Sequence, residues 1–120
     1  MRPTISIFIS FFIALPAFAQ EAKVQQWKAI ASQGKKDTTT LIALDSLQNW
    51  YGGSLSDTGL HYLEQIKNVA EVINNKKYLG VALRQISIKY YTEGKTTEAL
   101  RMQYKALALA EETKDTSKII

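Results

Sequence analysis

From Lys76 to Thr92, the apolar residues Leu79, Leu83, Ile86 and Tyr90 recur at spacings of four, three and four. That period places them on one side of a helix. Glu93-Gly94-Lys95 interrupts the pattern, and Gly94 suits the left-handed backbone on which helices commonly end. A second helix is predicted from Thr96, with Ala99, Leu100, Gln103, Ala106, Leu107 and Ala110 along its packing stripe. Glu98 complements the positive end of that helix's dipole, and Glu111 and Glu112 flank its far end.

The same plan stands upstream. Leu41, Leu44, Leu47 and Tyr51 form a first stripe, Gly52-Gly53 a turn, and Leu60, Leu63, Ile66, Ala70 and Ile73 a second stripe. Asp57 occupies the place of an N-cap or first-turn acid. Before these, Ala22 to Ser32 reads as the second helix of an incomplete earlier unit. Five helices and the start of a sixth are expected.

The likeness between units is written in the residues. A shift of 40 pairs Gly59 with Ala99, Leu60 with Leu100, Val69 with Leu109, Ala70 with Ala110 and Glu71 with Glu111. A shift of 78 pairs Lys36-Asp37-Thr38 with Lys114-Asp115-Thr116, and each copy follows a related string, Trp27-Lys28-Ala29-Ile30-Ala31 or Tyr104-Lys105-Ala106-Leu107-Ala108. Two concordant periods point to a repeat architecture. The expected division is an incomplete leading helix over 20–36, one unit over 37–75, a second over 76–114, and the opening of a further unit over 115–120.

The N-terminus changes this picture. Arg2, an apolar run from Ile5 to Leu15 broken by Ser6 and Ser10, and Ala17-Phe18-Ala19 have the layout of an export signal over 1–19, cleaved after Ala19. An uncleaved anchor is the alternative, although the run is shorter than the ~20 residues of a spanning helix. Both prolines and all four phenylalanines fall in this segment, so nothing downstream breaks a helix by lacking an N–H. With no cysteine, an exported chain relies on packing alone for its stability. Loss of Arg2 takes the net charge from +4 to +3, with lysines scattered among acids, so there is no basic stripe for nucleic acid. A soluble, periplasmic location is expected, and no later segment is long and apolar enough to span a membrane.

From Leu83 to Leu107 the chain resembles the tetratricopeptide repeat. Large residues stand at Leu83 and Ile86, a small one at Ser87, an aromatic at Tyr90, small ones at Ala99 and Ala106, and leucines at Leu100 and Leu107. The earlier unit matches less closely, since its first helix aligns at a shift of 39 and its second at 40. Gln103 departs from the family's usual aromatic, and neither unit has the closing proline. The resemblance implies an all-α fold of antiparallel helix-turn-helix repeats stacked as a short solenoid. The Lys-Asp-Thr openings, long units and export signal are similar to the sensory regions of bacterial signalling proteins, where such an array precedes a histidine kinase or a DNA-binding output domain. It also implies a partner-binding surface on the first helix of each unit, at Arg84, Ile88 and Tyr91 and, if the shift of 39 holds, at Asp45 and Asn49. A solvated helix face is the competing reading of those positions.

Chemistry is sparse. His61 is the single histidine, and with no cysteine it lacks companions for a metal or a nucleophile. Glu111, Glu112 and Asp115 read as a solvated helix end, and Gly52-Gly53 as a turn without the lysine of a phosphate loop. No catalytic residue, cofactor or metal is expected. Two roles remain: a protein- or peptide-binding module forming the N-terminal part of a longer signalling protein, or a small helical envelope protein that associates with itself through its C-terminal end.

Overall fold

A computed structural model describes the backbone of residues 18–119 and side chains through Lys114. The expected export signal lies outside the described residues, save Phe18 and Ala19 at the start of the first described helix. The chain is all-helical, with no strand among the described residues. Its elements are α1 (18–32), α2 (Thr38–Trp50), a short 3-10 turn (Gly53–Leu55), α3 (Asp57–Ile73), α4 (Lys76–Thr92) and α5 (Thr96–Ile119). From α2 onward each helix packs against the next, α2 on α3, α3 on α4 and α4 on α5.

Local chemistry sets the ends. Asp37 caps α2, its carboxylate accepting the Thr40 N–H at 2.8 Å. That bond, together with the Thr40 side chain, holds the Asp37 carboxyl below its ordinary range. A depressed native pKa stabilises the fold above the unfolded-state pKa, and this contribution disappears as pH falls through the native value. Stability is therefore expected to decline on acidification through the carboxylate range. In Asp37→Asn, which keeps an acceptor at the cap, part of that decline is expected to vanish in urea titrations at stepped pH.

After α2, Gly52 and Gly53 take φ of +92° and +63°, a double left-handed step that a side chain would strain. Ser56 then closes the turn, its hydroxyl donating to the Tyr51 carbonyl and accepting the Gly59 N–H. Ser56 is thus the N-cap of α3, and Asp57 lies in its first turn. The α3–α4 link is only Asn74-Asn75. Asn74 takes the left-handed conformation, the Asn75 N–H donates to the Ala70 carbonyl at 2.9 Å, and the Asn75 side chain caps α4 at the Tyr78 N–H. Gly94 ends α4 at φ +81°, with the Lys95 N–H donating to the Tyr90 carbonyl.

The core gathers Leu41 and Leu44 of α2, Leu63, Ile66, Val69 and Ala70 of α3, and Ala82 and Ile86 of α4. α1 joins through Ala31, which packs on this core, and through Lys28, whose ammonium lies 5.4 Å from the centre of the Tyr51 ring. Hydrogen bonding to Tyr51 raises the Lys28 pKa. Tyr51 in turn stacks on Tyr62 of α3 at 5.9 Å.

α5 differs from expectation at its far end. A new helix was expected to open at Asp115, but α5 runs on to Ile119 as one helix. Before Asp37 the chain passes through Gly34 in the left-handed region, whereas the corresponding position is Glu112, a side chain at ease within a helix. Nothing in that stretch stops the helix, and Glu112 ties it back to the start of α4 through Lys76 at 3.0 Å.

Candidate functional site

Among the hollows of the described surface, two adjoin along the α4–α5 hairpin and form an extended groove. The small residues Gly80 and Ser87 on α4, with Ala99 and Ala106 on α5, line it between the two helices. Ser87 is completely buried, and its hydroxyl donates to the Arg84 carbonyl while accepting from the Gln103 amide at 2.7 Å. That bond links the two helices within the groove.

Larger residues make the walls. Arg84, Ile88 and Tyr91, three or four positions apart, rise from one side of α4. Leu100 and Leu107 face them from α5, with Gln103 between. The helices run antiparallel, so Tyr91 and Leu100 share one end and Lys77 and Lys114 the other. Two adjoining hollows of about 490 and 450 Å³ meet at Gln103. The walls are open to solvent: Tyr91 is 67 % exposed, Leu107 56 % and Leu100 50 %.

Comparison with protein-family models, curated proteins and solved structures finds no match to this chain.

The structure brings Arg84, Ile88 and Tyr91 together on this groove. It does not bring Asp45 and Asn49 there. Both lie on α2, where the Asp45 carboxylate accepts from the buried Gln48 amide at 3.0 Å and Asn49 faces solvent. Leu100 and Leu107 were expected in the packing stripe and are instead exposed wall residues. Their spacing is that of core residues, so pattern alone could not have separated the two roles. Lys77 and Lys114 gave no sequence signal, because a scattered lysine acquires meaning only from its neighbours in space.

Polar chemistry elsewhere is simple. His61 is exposed on α3, 2.7 Å from the Gln65 amide and tilted against Tyr62. Among the described residues no three His, Cys, Asp or Glu side chains cluster as a metal site would require. No helix among them is long and apolar enough to cross a membrane. What the groove offers is apolar area edged with cations, and such a surface binds by burial and charge.

Proposed function

We propose that this chain is an exported repeat module of tetratricopeptide type, non-enzymatic, which binds a protein or peptide through the α4–α5 groove. It serves as the sensory or scaffolding N-terminal part of a longer signalling protein. The observation that carries this reading is the groove itself: exposed Ile88, Tyr91, Leu100 and Leu107 converge on one concave face instead of scattering over the surface. Isolated apolar side chains are ordinary on protein surfaces, but a contiguous patch marks an interaction site. The internal repeat and the export-signal pattern supply the rest of the proposal.

Panning a displayed peptide library on the chain tests it. Enriched sequences are expected to bind the wild-type chain and to lose at least about tenfold in affinity to Leu107→Glu, the effect of about 1.4 kcal/mol at an interface. Leu107 is exposed, so the variant is expected to retain its helical circular dichroism. Ligands indifferent to Leu107→Glu would remove the groove from consideration.

The same exposed leucines favour a second reading, a helical envelope protein whose copies meet at this face. Sedimentation equilibrium separates the two. A monomer supports the binding module, and a dimer abolished by Leu107→Glu supports self-association.

A further inference from the structure

The chain itself shows what covers a face of this kind. At the shift of 40, α5 repeats α3, so that Leu100, Gln103, Leu107 and Ala110 stand where α3 has Leu60, Leu63, Lys67 and Ala70. On α3, Leu63 and Ala70 are fully buried and Leu60 and Lys67 half-buried. All four counterparts on α5 are exposed. The cover on α3 is α4, whose Ala82 and Ile86 complete the core with Leu63 and Ala70. The covering element is a helix with leucine-sized residues three or four positions apart, Leu79, Leu83 and Ile86.

Charge narrows the choice. The described residues lining the groove include Lys76, Lys77, Arg84 and Lys114 and no carboxylate. Lys76 is paired with Glu112, whereas Arg84 forms no ion pair among the described residues. Arg84 stands midway between Lys77 and Tyr91, at the centre of the α4 wall. A second copy turned face to face about that centre would set one Arg84 against the other with like charge and no acid between them among the described residues. A helix from another protein, with acids beside its leucines, meets no such repulsion. Length is also bounded, because the fourteen-residue rise from Lys77 to Tyr91 spans about 21 Å, or about four helical turns.

We propose that the α4–α5 groove seats one amphipathic helix of a partner protein, about four turns long, with leucine-sized residues every three or four positions and carboxylates flanking that stripe. The proposal rests on the groove being the binding surface, and it adds the conformation and charge of what binds.

The chain provides matched probes. Residues 37–51 carry the leucine stripe with Asp37 and Asp45 and no Lys or Arg; residues 76–92 carry a similar stripe with Lys76, Lys77, Arg84 and Lys89 and no acid. Each is made as a labelled peptide with blocked ends and held helical by a lactam on the face opposite its stripe, since short free helices are marginal in water. In anisotropy titrations with the full chain, the acidic peptide is expected to bind saturably, at least about tenfold more tightly than the basic one, and more weakly at high salt. Leu107→Glu should weaken the acidic peptide by at least about tenfold, and Arg84→Glu should reverse the preference between the two.

Equal binding of both peptides, or indifference to both substitutions, would overturn the proposal. So would a dimer that Leu107→Glu dissolves, which would make a second copy the occupant. If library peptides bind at Leu107 but are extended, and neither helix binds, the groove keeps its function and the helical partner is refuted. Loss of both results would refute the groove as well.

Discussion

Gly59→Ala is expected to destabilise the chain by about 3 kcal/mol, the upper part of the usual range for overpacking, although alanine ordinarily favours a helix by about 1 kcal/mol over glycine. A Cβ at position 59 would stand 2.0 Å from the Gly53 carbonyl oxygen, 2.8 Å from its carbon and 2.9 Å from its nitrogen. All three are backbone atoms, so no side chain can swing aside. Gly53 is itself held at φ +63°, and the turn around it is closed by Ser56, whose hydroxyl also accepts the Gly59 N–H. Relief requires the 3-10 turn to move off α3, and that turn also packs on α2 and α4. Gly80→Ala is the control, because there a Cβ would meet the Ala106 carbonyl at 3.7 Å and Leu109 at 3.8 Å, ordinary contact distances. Its substitution should be neutral or stabilising by up to about 1 kcal/mol. Urea denaturation of the two variants measures the contrast, and equal effects would show that the turn does not press on α3 as described.

Leu63→Gln should cost about 3 to 5 kcal/mol, from the lost transfer of a leucine and the burial of an amide without partners. Leu63 is fully buried among Leu41, Ile66 and Ile86. The reverse exchange at the repeat-equivalent position, Gln103→Leu, should change stability by no more than about 1 kcal/mol, the usual worth of one hydrogen bond. Gln103 gives up its bond to Ser87, but the Ser87 hydroxyl keeps its bond to the Arg84 carbonyl. Total stability of a domain is about 5–15 kcal/mol, so the first substitution removes much of it and the second little. Thermal denaturation followed at 222 nm, a wavelength for helix content, distinguishes them. A large loss in Gln103→Leu would mean that the amide bridge, and not apolar packing, fixes the α4–α5 hairpin.

These two substitutions mark the limit of what the repeat pattern conveys. Gly59 aligns with Ala99 as one small residue with another, yet Ala99 carries its methyl while position 59 faces a backbone that leaves no room for one. Leu63 aligns with Gln103, and one lies in the core while the other lies on an open wall. Arg84, Ile88 and Tyr91 were legible as a group because they share one side of one helix. Their α5 counterparts were not legible as a binding wall, since Leu100 and Leu107 have the same spacing that elsewhere in the chain marks burial.

The sequence by itself determined the number of described helices and the turns between most of them, because the causes are local: apolar period, the Gly52-Gly53 step and the left-handed stop at Gly94. Local chemistry also extends α5 beyond Asp115, through the absence of a stop that the earlier unit possesses. Only the tertiary structure decided which apolar stripes are covered, which glycine meets a neighbouring backbone and where the cations stand around the groove. Burial and electrostatic context depend on residues distant in sequence. The stripes on α3 and α5 share one period, and the difference between core and surface is the presence of α4 over the first of them.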